Sequence, residues 1–263
     1  MQVKRFNLSL LLLCLTLLLQ ANAYAGEFNK KDEQGRRQGE WRGYFASGAL
    51  RYEGQFVNNE PIGVFTYYYP QGGVRAELIH EKGEEAVKAT YYHRNRRQSI
   101  MGEGFFVNQK MNGLWRFFNE QGVLLAEHFY HEGENHGVWK TYYDNGTLAE
   151  MQTWHRGEQQ GPMERYFPDG TLYMRAHYEN NLLNGAYEIY HVNGQLSLQG
   201  VYRDDLNENT WTYYTPNGEI IRKVTYKDGM IVHEEVLLDL EEEAIPLRPG
   251  PSRHDTPWDM NGF

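Results

Sequence analysis

The residues best equipped for chemistry are four histidines, His128, His131, His136 and His155, with Glu132 and Glu134 among them. Imidazole and carboxylate are the usual nitrogen and oxygen ligands of zinc. His131 and His155 stand 24 residues apart, the interval at which the whole chain repeats. A repeat of that length places them two strands apart on one face. The same slot elsewhere holds Val57, Glu81, Val107, Glu179, Arg203 and Lys227, the mixture of a hydrated face. The expectation is therefore no metal site. The chain has no H-E-x-x-H, no G-x-S-x-G and no glycine-rich loop feeding a helix. Carboxylates are plentiful, but a glycosidase needs two of them held roughly 5–10 Å apart in a cleft, and nothing in the spacing builds one. The expectation is a non-enzymatic chain with no catalytic residue and no cofactor.

What must position any site is a repeat. Aligned on one slot, Trp41, Phe65, Ala89, Trp115, Trp139, Met163, Tyr187 and Trp211 follow one another at 24 residues, except for one step of 26 after Ala89. Three residues further on, every copy has an aromatic: Tyr44, Tyr68, Tyr92, Phe118, Tyr142, Tyr166, Tyr190 and Tyr214. A period of this length signals an array of small supersecondary units.

Each copy carries two turn signals. Seven residues after the anchor stands a glycine, as in Gly48, Gly146 and Gly194, often after Asn or Asp. Eighteen after it stands Gly, Asn or Asp in seven of eight copies, Gln109 being the other. These residues accept left-handed backbone most readily. Between the turns lie aromatic-rich segments with the mixed polarity of half-buried strands. The expected fold is all-β: an elongated, single-layer antiparallel meander of about eight β-hairpins, twisted or curled. Its aromatics recur as ladders on neighbouring hairpins. The third copy departs, with Ala89, Arg96 and Gln98 in place of the usual aromatic, Gly and Leu. It also carries the two-residue insertion and the run Arg94-Asn95-Arg96-Arg97, which predicts a bulged loop or kink and a local basic spot.

The ends differ in kind. Residues 1–25 join Lys4 and Arg5 to the apolar run Leu8–Leu19 and to small residues, which reads as a secretory signal cleaved after Ala25 or Ala23. Cys14, the only cysteine, lies within it, so the exported chain forms no disulfide. Residues 26–37 form a lead-in, 38–232 the array, and 233–263 an acidic, Pro-rich tail whose composition beyond residue 244 is that of a disordered segment. The full chain carries −9; without Lys4 and Arg5 it has 24 basic and 35 acidic residues, a net −11. That charge argues against nucleic acid and against an anionic membrane surface. Membrane association is expected only through an uncleaved signal.

The stretch Gly137-Val138-Trp139-Lys140-Thr141-Tyr142-Tyr143-Asp144-Asn145-Gly146-Thr147-Leu148, closed by Gly157, resembles the bacterial variant of the MORN repeat. The resemblance covers about residues 38–230 and weakens in the third copy, where it leaves the hairpin geometry in doubt. It implies a scaffold or binding surface, and similarity to YwqK-family proteins implies an antitoxin- or immunity-like inhibitor as an alternative. The expected function is a periplasmic or secreted surface for a protein partner, with carbohydrate as a further alternative. The candidate surface aromatics are Trp41, Tyr44, Trp115, Trp139, Tyr142, Trp154, Tyr166, Trp211 and Tyr214. The competing expectation is that these rings are the core itself, since ladders recur whatever the ligand.

Overall fold

The computed structural model describes residues 28–238. The signal-like segment with Ala25 and the tail from residue 239 lie outside the described residues. These residues divide into two compact units, 28–146 with Trp154–Gly157, and Thr147–Thr153 with 158–238.

The first unit contains β1 (Lys30–Lys31), β2 (Arg37–Tyr44), β3 (Leu50–Val57), β4 (Glu60–Tyr68), β5 (Val74–His80) and β6 (Ala86–Tyr92). It continues with β7 (Ile100–Val107), β8 (Lys110–Phe118), β9 (Leu124–His131), β10 (Glu134–Asn135) and β11 (Gly137–Tyr142). Strand β12 (Leu148–His155) has residues in both units. The second unit then holds β13 (Glu158–Tyr166), β14 (Leu172–Glu179), β15 (Leu182–Leu183), β16 (Gly185–Tyr190), β17 (Leu196–Arg203), β18 (Leu206–Tyr214), β19 (Ile220–Lys227) and β20 (Met230–Val236). Within each unit chain neighbours pair in antiparallel fashion, so the meander expected from the repeat is what forms. Strand β20 carries the last pairing to Val236, past the expected end of the array at 232.

The two turn slots form two different turns. At the first, Phe45 N–H bonds Ala49 O and Gly48 N–H bonds Phe45 O, with Gly48 at φ +84°. This is a three-residue hairpin loop whose last residue must be left-handed, which is why glycine stands there. At the second, two consecutive residues are left-handed, as in Asn58 (φ 53°) and Asn59 (φ 73°). That is the two-residue type I′ turn, whose twist matches the flanking strands. Only its second residue is evident from the repeat pattern. The first includes Glu132 and Arg156, side chains that carry a conformational cost in this region. Turn amides also bond the preceding hairpin: Asn59 N–H to Arg37 O, Gly133 N–H to Met111 O, Asp205 N–H to Leu183 O.

The third copy keeps its hairpin. Strands β6 and β7 pair from Ala86↔Val107 to Tyr92↔Ile100. The insertion is absorbed in the connecting loop, where the Asn95 side chain accepts from Arg97 and Ser99 N–H and donates to Ser99 Oγ.

The core of each unit forms by size matching across strands. Eleven residues before each anchor, on the adjacent strand, sits the residue its ring covers. A Cβ on Gly54 would lie 2.5 Å from the Phe65 ring, one on Gly104 2.3 Å from Trp115, and one on Gly200 2.1 Å from Trp211. Where the anchor shrinks to Ala89, its partner across the ladder grows to Leu78. Trp115, Trp211 and Ala89 are at most 1% exposed. Rings laid over glycine exclude water without needing a second layer of structure.

Candidate functional site

Side chains alternate faces along a strand, so the anchors and the aromatics three residues later point in opposite directions. The two ladders expected to form one binding surface therefore lie on opposite faces of the sheet. Trp115, Trp139 and Trp211 are buried, and this corrects their reading as surface residues. They are core because each ring lies across its neighbouring strand. Trp115 and Trp139 also donate their indole N–H to the carbonyls of Phe105 and Phe129. Trp41 is half-buried and donates to Gln38 O; Trp154 is half-buried against Trp139, 5.4 Å away.

The tyrosine ladder has a defined chemistry. Tyr68 OH donates to Glu53 at 2.6 Å, Tyr92 OH to Glu77 at 2.7 Å and Tyr142 OH to Glu127 at 3.0 Å. In the second unit Tyr166 OH donates to Glu164, Tyr190 OH to Glu188, and Gln199 donates to Tyr214 Oη. Burial, and then the carboxylate each one touches, pushes the Tyr68, Tyr92, Tyr142, Tyr166 and Tyr190 phenols up to about 12. They are fixed hydrogen-bond donors, not bases. Tyr44, with no such bond shown, is 54% exposed.

The same outer face of the first unit carries residues that the aromatic ladders overlook. Val64 pairs Ile79, Ile79 pairs Lys88, Lys88 pairs Phe105, and Leu114 pairs Phe129. Phe129 O accepts from His136 N–H, which brings it beside Val138 at the start of β11. Val64, Phe105, Leu114, Phe129 and Val138 are each at least 37% exposed. The row is thus mostly apolar and open, interrupted by Lys88 and by the irregularity between β7 and β8, where Phe105 pairs Asn112. Alongside runs Arg42–Glu53–Thr66–Glu77–Thr90–Glu103–Arg116–Glu127, each paired with the next. The corresponding row of the second unit is Pro162, His177, Ala186, Val201, Thr210 and Thr225, smaller and more polar. The sequence signal was an apolar residue just before the anchor in three copies of the first unit, hidden by the stronger anchor pattern.

His128 is separate from the other histidines. It is 7% exposed and stacks flat on Trp139, rings 3.8 Å apart at 6°. Burial pushes its imidazole down from 6.5 to about 4. Above pH 6.5 both folded and unfolded chains hold it neutral. Between 6.5 and 4 only the unfolded chain gains the proton, so stability falls as pH falls. The expected loss approaches about 3 kcal/mol by pH 4 and is absent in His128→Gln. Urea midpoints at pH 7 and 4.5 for both proteins measure it, and equal acid losses would remove His128 as the cause.

The basic run of the third copy borders an open cleft of about 350 Å³, with Tyr69, Gly73, His93, Arg94 and Arg96 in its lining and no carboxylate.

These observations define a β-hairpin repeat protein whose inner face is packed by aromatics and whose outer face is patterned. Comparison with known families specifies the repeat: residues 37–58, 111–132, 135–155, 159–180 and 207–228 match the MORN repeat variant. Five stretches of the chain match the repeat, and the unmatched strands β4 to β7 and β16 to β17 pair as antiparallel hairpins of the same kind. No curated protein matches the chain. Among solved structures, the crystal structure of TarM is 16% identical over 35% of this chain and 18% of its own, with a TM-score of 0.26. TcdB2-TccC3-Cdc42 is 13% identical over 73% of this chain and 12% of its own, TM-score 0.22. A porin-like protein from Bacteroides uniformis is 8% identical over 74% and 92%, TM-score 0.18. The chain spans under a fifth of the first two, and at these scores the likenesses carry no functional argument.

Proposed function

We propose that this chain is an exported, non-enzymatic scaffold that holds a protein partner on the outer face of its first unit. The observation that carries the reading is the row from Val64 to Val138. Seven strands at about 4.8 Å spacing make it roughly 30 Å long, the span of a standard protein interface. Contiguous exposed apolar surface rimmed by polar groups is the mark of a docking site. The rigid rim of tyrosines and glutamates supplies hydrogen-bonding groups of fixed position, and its charged row would set register more than affinity. Export rests on the signal-like residues 1–25. Burial of Trp115, Trp139 and Trp211 removes three of the rings on which a sugar would stack, so a protein partner is favoured over carbohydrate.

The test is capture of partners from envelope extract by the tagged chain without residues 1–25. Phe105→Asp with Phe129→Asp changes exposed side chains only and is expected to weaken capture at least tenfold, with an unchanged circular dichroism spectrum. Undiminished capture by that variant would move the interface elsewhere.

A further inference from the structure

Three of the four histidines come together in the first unit. His131 ends β9, His136 precedes β11, and His155 ends β12. The ring centroids of His131 and His136 are 5.6 Å apart, and those of His136 and His155 are 5.2 Å apart. His136 Nδ1 is buried and has no hydrogen-bond partner. We infer that His131, His136 and His155 bind a single divalent transition-metal ion of the zinc class.

The slot of His136 makes the unpartnered nitrogen informative. In other copies this residue caps the next type I′ turn: Gln38 Oε1 accepts from Asn58 N–H, Gln160 Oε1 from Asn180 N–H, and Glu208 Oε2 from Asp228 N–H. His136 makes no such bond through Nδ1. A buried imidazole nitrogen without a partner loses its hydration and gains nothing in return. An ion satisfies it.

The spacing fits. With metal–nitrogen bonds of about 2.0–2.1 Å, an ion lies about 3.2 Å from each ring centroid. Centroids 5.2 Å and 5.6 Å apart then subtend about 110° and about 120° at the ion. Those are the angles of tetrahedral coordination and of a slightly opened one. Among the described residues no three His, Cys, Asp or Glu side chains are placed to hold a metal ion as they stand. The site is therefore completed on binding, by rotation of the two outer rings. Both His131 and His155 are exposed, and the terminal torsion of histidine is broad. Glu134, paired across the ladder with His131, is placed to supply an oxygen ligand or a hydrogen bond to an imidazole. Imidazoles in this number suit zinc, copper or nickel and not calcium or magnesium.

The experiment is titration of the full chain with Zn²⁺ by calorimetry, together with its unfolding temperature with and without Zn²⁺. His136→Gln places at this slot the residue found at Gln38 and Gln160, so the variant is expected to fold and to regain the turn cap. Wild type is expected to bind one Zn²⁺ and to melt higher with it. His136→Gln, and the double variant His131→Asn with His155→Asn, are expected to bind at least tenfold more weakly and to lose the thermal shift. Equal Zn²⁺ affinity in wild type and His136→Gln would overturn the inference, as would full retention by the double variant. Partner capture by the outer face is read separately, so either proposal can fail without the other.

Discussion

Gly200→Leu is expected to destabilise the second unit by about 3 kcal/mol, since even a Cβ there meets the Trp211 ring. Trp211→Ala alone is expected to cost about 3–5 kcal/mol through the cavity it leaves. Made together, they are expected to cost less than the sum by about 2 kcal/mol. The reason is in the chain itself. Phe65 pairs Leu78 and Leu78 pairs Ala89, just as Tyr187 pairs Gly200 beside Trp211. The double variant rebuilds the third copy's solution in a later copy. Urea unfolding of the four proteins closes the cycle. Strict additivity would mean that ring and glycine do not pack as one unit, and the size-matching account of the core would be wrong.

The second large effect concerns Glu150 and Arg165 in the second unit. Arg165 Nε donates to Glu150 Oε2 at 2.6 Å, with Glu150 5% exposed, and Gln152 also donates to that carboxylate. The equivalent slots are filled by Met174 paired with Ile189, and by Leu198 paired with Tyr213. An ion pair thus occupies a position where other copies use apolar contacts. Removing Arg165 leaves the buried carboxylate without its counter-charge, so Arg165→Ile is expected to cost about 3–5 kcal/mol. Replacing both, Glu150→Met with Arg165→Ile, is expected to be neutral or stabilising by about 1–4 kcal/mol. Chemical denaturation measures the difference. A double variant as unstable as the single one would show that the surroundings of the pair, and not its desolvation, set the balance.

Much of the fold was legible because a repeat states its backbone requirements many times. The left-handed slot filled by Asn59, Gly133 and Gly157 had to be a turn, whatever its neighbours. The insertion after Ala89 reads in sequence as a bulged loop or kink that leaves the hairpin geometry in doubt. In the structure β6 and β7 pair fully and the loop takes up the extra residues. The difference arises because strand pairing is set by the cross-strand ladder, which Leu78, Ala89 and Gly104 keep through compensating size. Val64, Phe105, Leu114, Phe129 and Val138 were visible one by one as ordinary apolar residues. Their continuity depends on the register between strands, which no single segment encodes.

The sequence by itself determined the hairpin period, the two turn slots and the MORN-variant character, since these follow from local backbone preferences repeated in phase. Only the tertiary structure decided which aromatics are core and which residues face outward. Burial depends on what lies across the neighbouring strand, a glycine under Trp115 or a glutamate beside Tyr142. The histidines show the same division. Their spacing along the chain suggested a shared face, but packing sorted His128 onto Trp139 and left His131, His136 and His155 side by side.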